Sequence, residues 1–193
     1  GAGNICSVKN ALDYLGFENK LTDKKEDIEK ADAIILPGVG AFPWAMNMLG
    51  LSGLIDTIKE QAKIKPFLGI CLGMQLLFDK SYEFGEYDGL SLVHGSVKPI
   101  SEVIPTDFKI PHIGWNALDF CENPLFKYIK KGDFVYFVHS FYGTECEKNT
   151  IATTEYGATL TAAVQNENVY GVQFHPEKSG AVGERILRNF LEL

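Results

Sequence analysis

Cysteine is scarce in this chain, and its placement excludes two kinds of chemistry. The four, Cys6, Cys71, Cys121 and Cys146, stand 65, 50 and 25 positions apart among 193 residues. No CxxC pair is present to seed a zinc site or a redox dithiol, and a reducing compartment is expected. Basic residues are also few: 18 Lys plus Arg against 25 Asp plus Glu leave a formal net charge of −7. No basic stripe exists to hold a phosphate backbone, which argues against nucleic-acid binding. The longest uncharged stretch, Ala33 to Ile55, has 23 residues, enough in length to cross a bilayer. Pro37, Gly38, Gly40, Pro43, Gly50 and Gly53 break it, and Asn47 and Ser52 interrupt its apolar face. No basic segment followed by an apolar core marks a secretory signal. The expectation is a cytoplasmic protein with no membrane partner.

What is present is a foldable composition, 46% hydrophobic and 22% charged. At roughly 100–200 residues per domain, the expectation is one domain spanning residues 1–193. No linker, repeat or low-complexity tract divides the chain. Ile5, Val8, Leu12 and Leu15 recur at helical spacing, with Gly16 as a C-cap and Phe17 to Leu21 as a short strand. Thr22 to Lys30 reads as a solvated helical face. Ala33 to Leu36 is an apolar run closed by Pro37-Gly38, followed by helical sequence to Lys63. Lys65 to Ile70 is a second buried strand, and Leu72 to Phe78 is again helical. This alternation of strand and helix predicts an α/β fold, with helices on both faces of a largely parallel sheet. The second half reads as strands at 96–100, 110–118, 134–140 and 151–156. Leu160 to Gln165 pairs with Val169 to Phe174 across Asn166-Glu167-Asn168. A final helix carries Val182, Ile186, Leu187, Phe190 and Leu191 on one side. The core therefore gains a mixed or antiparallel extension.

The strongest chemical signal is Gly69-Ile70-Cys71-Leu72-Gly73, after a strand and before a helix. This is a nucleophile elbow with cysteine at the centre: small flanking residues permit the sharp turn that projects the side chain above the sheet. A helix N-terminus there favours the thiolate, the reactive form. A buried cysteine is more often a small hydrophobe, but the paired glycines at a strand-to-helix junction favour the nucleophile. Its proton acceptor is sought among His94, His112, His139 and His175. His175 ends an apolar run and is followed by Pro176-Glu177. In extended chain Glu177 points the same way as His175 and can orient its ring. His94 and His112 read as structural or surface residues and His139 as structural. Pro37-Gly38-Val39-Gly40 follows the other buried strand. Its amides, with that of Leu72, are candidates to stabilise an oxyanion, although a strand-ending turn alone explains the loop.

Together the G-I-C-L-G elbow, the H-P-E ending and P-G-V-G-A-F resemble the class I (triad) glutamine amidotransferases. More narrowly, the chain resembles the glutaminase subunits of imidazole glycerol phosphate synthases. Gly1-Ala2-Gly3-Asn4 with Ser7, Pro111-His112-Ile113-Gly114-Trp115-Asn116, Tyr136 to Ser140, and His175-Pro176-Glu177-Lys178-Ser179 match in order. The resemblance implies a flavodoxin-like sheet and hydrolysis of L-glutamine to glutamate and ammonia through a thioester on Cys71. In that scheme His175 relays protons, Glu177 orients it, and Val39 and Leu72 form the oxyanion hole. Gly40, Gln75, Ser140 and Phe141 hold the amino-acid end of glutamine. It further implies no cofactor, no metal, and a cyclase subunit with a (β/α)₈ barrel in a heterodimer. Asn4, Trp115, Asn116, Tyr136 and Lys178 face that partner, whose own ligand switches the glutaminase on.

Family members begin with an apolar strand before the Gly-x-Gly-Asn loop, and this chain starts at the loop; the first strand of the sheet is therefore expected to be missing. Two other readings stay open. One is a glutaminase subunit for anthranilate, purine or pyridoxal phosphate synthesis. The other is a non-catalytic scaffold in which the elbow survives as packing.

Overall fold

The computed structural model describes residues 2–193, so Gly1 of the N-terminal Gly-Ala-Gly-Asn segment lies outside it. Where that segment was expected to form a loop, the chain is helical from its second residue, as α1 (Ala2–Leu15). Val8 and Leu12, one helical turn apart, are buried, and Ala11 and Leu15 pack beside them. Gly16, at φ 81°, ends the helix as expected. Its N–H donates to the Asp13 carbonyl and that of Phe17 to the Leu12 carbonyl, a left-handed C-terminal closure that favours glycine.

The strand expected at Phe17 to Leu21 does not form. Asn19 Nδ2 instead donates to Asp13 Oδ1 and the Phe17 carbonyl, holding the segment against the helix end, and Leu21 is exposed. Next come α2 (Lys25–Lys30) and β1 (Ile34–Gly38). The helical sequence that follows is split into α3 (Phe42–Ser52) and α4 (Ile55–Ala62) by Gly53, which is left-handed at φ 69°. Then β2 (Phe67–Cys71) leads into α5 (Leu72–Gln75).

The expected helix to Phe78 is thus cut to one turn, and the chain enters β3 (Phe78–Ser81). The reason is competition for backbone groups. The carbonyls of Leu76, Leu77 and Phe78, which a longer helix would use, accept from Leu90, from Leu92 and Val93, and from Ser91. The remaining elements are β4 (Tyr87–Asp88), β5 (Val93–Pro99), β6 (His112–Ala117), β7 (Asp119–Phe120) and β8 (Phe134–His139). They are followed by β9 (Phe141–Thr144), β10 (Thr150–Glu155), β11 (Thr159–Asn166), β12 (Val169–Val172) and α6 (Gly180–Leu191).

The main sheet is mixed, in the order β1-β2-β12-β11-β10-β7. β2 pairs in parallel with β1 and β12, and the strands beyond β12 are antiparallel. Central β2 is buried at all five residues, as a strand covered on both faces must be. Alternate residues feed two cores: Leu68 and Ile70 pack with Val8, Leu12, Ile186, Leu187 and Phe190, whereas Phe67 packs with Phe42, Ile58, Ala62 and Met74. A four-stranded sheet, β4-β3-β5-β9, and a two-stranded ribbon, β6-β8, complete the extension. Among the described residues no helix is long and apolar enough to cross a membrane.

Candidate active site

Register places the first two site elements side by side. Gly38, the last residue of β1, is the ladder partner of Cys71, the last residue of β2. The Val39-Gly40 loop therefore leaves the sheet beside the elbow, with Gly38 against Leu72 and Gly73 at the start of α5. Glycine makes this approach possible: a Cβ on Gly73 would lie 1.8 Å from the Leu36 carbonyl oxygen, and one on Gly69 would lie 2.6 Å from that of Gly73. A Cβ on Gly38 would in turn meet the Gly73 nitrogen at 2.9 Å.

Cys71 itself has φ 55°, ψ −112°, a conformation rare for a residue with a side chain. Such strain is characteristic of a nucleophile held at a tight turn. Its side chain is buried, with Sγ 3.9 Å from the Val138 carbonyl and 3.8 Å from Gln173 Nε2.

His175 lies at the end of the β12 chain, its N–H bonded to the Tyr136 carbonyl and its carbonyl accepting from Ser179 Oγ. Glu177 reaches it, with Oε1 2.7 Å from His175 Nδ1 and both side chains fully enclosed. The route differs from the extended geometry expected. Residues 176–178 form a 3-10 turn opened by Pro176, and the turn brings Glu177 back over the ring. Gly183 lets α6 pack on that turn, since a Cβ there would sit 1.9 Å from the Pro176 carbonyl oxygen.

His175 Nε2 is buried with no hydrogen-bond partner; Cys71 acts on the ring together with Glu177. Burial disfavours the imidazolium, but Cys71 and Glu177 together outweigh it and push the His175 pKa up to about 9. A buried acid–base pair that holds a proton on imidazole beside a sulfur is the arrangement thiol nucleophiles use. Glu177→Gln should lower the rate on the order of 10²–10⁴-fold and bring the His175 pKa down from about 9. Initial rates and NMR titration of the ring would check both.

Gln75 is buried, and its Nε2 donates to the Phe141 carbonyl at 3.1 Å and to Gln173 Oε1 at 3.0 Å. It ties the elbow helix to the start of β9 and the end of β12. Ser140 accepts from the Ile100 N–H through its carbonyl, and Gly40 is exposed with φ 105°.

Of the residues placed at a partner surface, Trp115 and Lys178 are exposed, while Tyr136 and Asn116 are half-buried. Trp115 and Tyr136 are ladder partners with ring centroids 6.0 Å apart. Asn4 departs from the expectation. It is buried on the inner side of α1, one turn before Val8, because the face that carries Val8 and Leu12 turns it toward the core.

Three residues escaped the sequence reading. Gln173, fully buried beside Cys71, had a usable signal: it is a polar residue in an apolar strand, two positions before His175. Ser179, whose Oγ also accepts from the Tyr136 N–H, had only its place in the His-Pro-Glu-Lys-Ser segment. Glu83 had none. Its buried carboxylate accepts from the Phe42 N–H at 2.7 Å, fixing the chain just after Gly40, and burial pushes its pKa up against that bond. His94 is exposed and bonded to Asp79. Among the described residues no group of three His, Cys, Asp or Glu side chains is placed to hold a metal ion.

The model of the glutamine amidotransferase class-I family matches residues 2–193, and the chain belongs to that family. Within it, the chain is similar to proteins named imidazole glycerol phosphate synthase subunit HisH. That of Caldanaerobacter subterraneus subsp. tengcongensis is 49% identical, covering 100% of this chain and 95% of the relative. That of Lacticaseibacillus casei is 50% identical over 99% of this chain and 91% of its own, and that of Lactococcus lactis subsp. lactis 50% over 98% and 94%. Solved structures agree on the fold. A glutamine amidotransferase superposes with TM-score 0.74 at 21% identity, covering 96% of this chain and 91% of its own. Another, from Thermotoga maritima, superposes with TM-score 0.56 at 19% identity, over 92% and 67%.

Proposed function

We propose that the chain is the glutaminase subunit of an imidazole glycerol phosphate synthase in histidine biosynthesis, acting as one unit in the cytoplasm. The observation that carries the reading is the enclosed Cys71, His175 and Glu177 arrangement, with the imidazole pKa held near 9. Cys71 sulfur adds to the side-chain carboxamide carbon of L-glutamine. Amides near Val39 and Leu72 stabilise the oxyanion, and the His175 proton goes to the leaving nitrogen, so that ammonia departs and a γ-glutamyl thioester remains. Water activated by the now neutral His175 adds to the thioester, glutamate leaves, and the proton returns to the Cys71–His175 pair. No cofactor takes part in this sequence. Gly40, Gln75, Ser140 and Phe141 surround the amino-acid end of the substrate in this scheme, with Gln75 acting through the Phe141 carbonyl.

Ammonia released into water near neutral pH is mostly protonated and loses its nucleophilicity, so direct transfer to a synthase is advantageous. The partner in this reading is a cyclase subunit with a (β/α)₈ barrel. The outer face of the β6-β8 ribbon suits it: Ile113, Trp115 and Phe134 are each more than half exposed there, beside Tyr136, and exposed Lys178 precedes Ser179, whose Oγ accepts from the Tyr136 N–H. An apolar patch rimmed by polar groups is the usual mark of a protein contact. Trp115→Ala should weaken association with the cyclase by at least tenfold and leave the thermal midpoint of the free chain nearly unchanged. Titration followed by size exclusion and calorimetry reads both. The Val39 peptide, between two glycines, is free to reorient, and partner-dependent activation of about 10²–10³-fold fits the gain of a single oxyanion donor. Product formation with an anthranilate synthase chain and none with the cyclase would select the other pathway.

A further inference from the structure

Behind the ribbon face lies a pair of histidines that the proposed chemistry does not use. His112 and His139 are opposed residues on β6 and β8, 1% and 5% exposed, with Nδ1 of His112 3.0 Å from Nε2 of His139. Each remaining ring nitrogen faces an oxygen. His112 Nε2 is 3.1 Å from Asn116 Oδ1, and His139 Nδ1 is 2.8 Å from the Phe141 carbonyl. The Asn116 amide is fixed in this sense because its Nδ2 donates to the Glu155 carbonyl at 2.7 Å. The row therefore has an acceptor at both ends and four ring nitrogens between them. Three hydrogen bonds need three protons, and two neutral imidazoles carry two.

Three arrangements of the neutral pair each make two of the three bonds: in one, both rings donate outward, to Asn116 and to Phe141, and the inner contact is unfilled, while the other two keep the inner bond. In the first of those two, His112 Nδ1–H donates to His139 Nε2 and His139 Nδ1–H donates to Phe141; the unfilled contact is at Asn116. In the second, His112 Nε2–H donates to Asn116 and His139 Nε2–H donates to His112. The His139 Nδ1 lone pair then faces the Phe141 carbonyl, which also accepts from Gln75. Burial favours the neutral pair: it lowers the pKa of both rings, that of His139 to about 4, where His112 and His175 also act against a charge. The shortest of the three contacts, 2.8 Å, is that to the Phe141 carbonyl. Asn116, half-buried, lines an open groove of about 660 Å³ with Trp115, Lys131, Phe134 and Glu155.

We propose that His112 and His139 are positioning residues that relay the hydrogen-bond state of Asn116, on the groove, to the Phe141 carbonyl at the glutamine site. This rests on the glutaminase reading for the role of Phe141, and not for the relay itself. The test is NMR of the full chain labelled with ¹⁵N-histidine, comparing wild type, Asn116→Ala and Asn116→Asp, with His112→Phe as the interrupting change. Phenylalanine keeps a ring to stack on Tyr156 and Phe137. The expected result is that His139 Nε2 gains proton character in Asn116→Asp and not in Asn116→Ala, although residue 116 bonds to His112 rather than to His139. The difference should vanish when His112→Phe is added. Asn116→Asp should also change the KM for glutamine several-fold more than kcat. Identical His139 shifts in the two Asn116 variants would overturn the relay, even in a chain that turns over glutamine. A chain without glutaminase activity would remove the proposed function while the shifts still decided the relay.

Discussion

Cys71→Ala is expected to lower ammonia release from glutamine by about 10⁴-fold or more, the scale on which loss of a nucleophile is felt in hydrolases that work through covalent intermediates. The fold should survive. Alanine removes one sulfur from a position whose packing is set by backbone contacts at Gly38, Gly69 and Gly73, and the cavity left is small. The variant also removes the group that helps hold the His175 proton, so the ring should titrate below the value of about 9 it has beside the thiol. Because that folded pKa lies above the unfolded value of 6.5, the stability it contributes is fully present below pH 6.5 and is lost as pH rises through 9. The stability of the wild type should therefore fall across that window and that of Cys71→Ala should fall less. Denaturant unfolding at a series of pH values reads the difference.

Gly73→Ala is expected to be the most damaging single methyl group that can be added near the site. The new carbon would lie 1.8 Å from the Leu36 carbonyl oxygen, a backbone atom in a strand fixed by its ladder to β2. No side chain can swing aside, so the elbow helix or β1 must move. Overpacking of cores typically costs 1–3 kcal/mol, and a clash with backbone lies at or beyond the top of that range, about 3 kcal/mol or more. A lowered denaturation midpoint together with lost glutaminase activity is the expected outcome. Gly16→Ala offers a contrast: a Cβ there meets nothing within 4 Å, so its cost is limited to the left-handed backbone.

These two substitutions also show where the sequence was legible. Gly69-Ile70-Cys71-Leu72-Gly73 and His175-Pro176-Glu177 are local patterns, and chemistry that depends on a turn within five residues is written within five residues. The alternation of β1, α3, β2 was legible for the same reason. Side chains alternate along β2, so Leu68 and Ile70 enter one core and Phe67 the other, although every residue of the strand is buried. What failed was decided at a distance. Leu72 to Phe78 is apolar and helical in pattern, yet residues 90–93 take its carbonyls. Phe17 to Leu21 has strand composition, yet no strand pairs with it among the described residues. The reading of His112 and His139 as separate structural residues missed their pairing, because only the register of β6 on β8 brings them together. Asn4 sat in a recognisable segment, but whether a helical residue faces in or out depends on phase, and the phase is set by Val8 and Leu12.

Exposure alone would put thiol reactivity elsewhere than at the proposed nucleophile: Cys6 and Cys121 are exposed, whereas Cys71 and Cys146 are buried. The measurement is site mapping by mass spectrometry after treating the full chain with an electrophilic glutamine analogue, with and without excess glutamine. Activation of Cys71 by its surroundings should give a single adduct on Cys71, formed faster than on Cys6 or Cys121, suppressed by glutamine and lost in His175→Ala. Labelling that follows exposure, on Cys6 and Cys121 with Cys71 untouched, would contradict it.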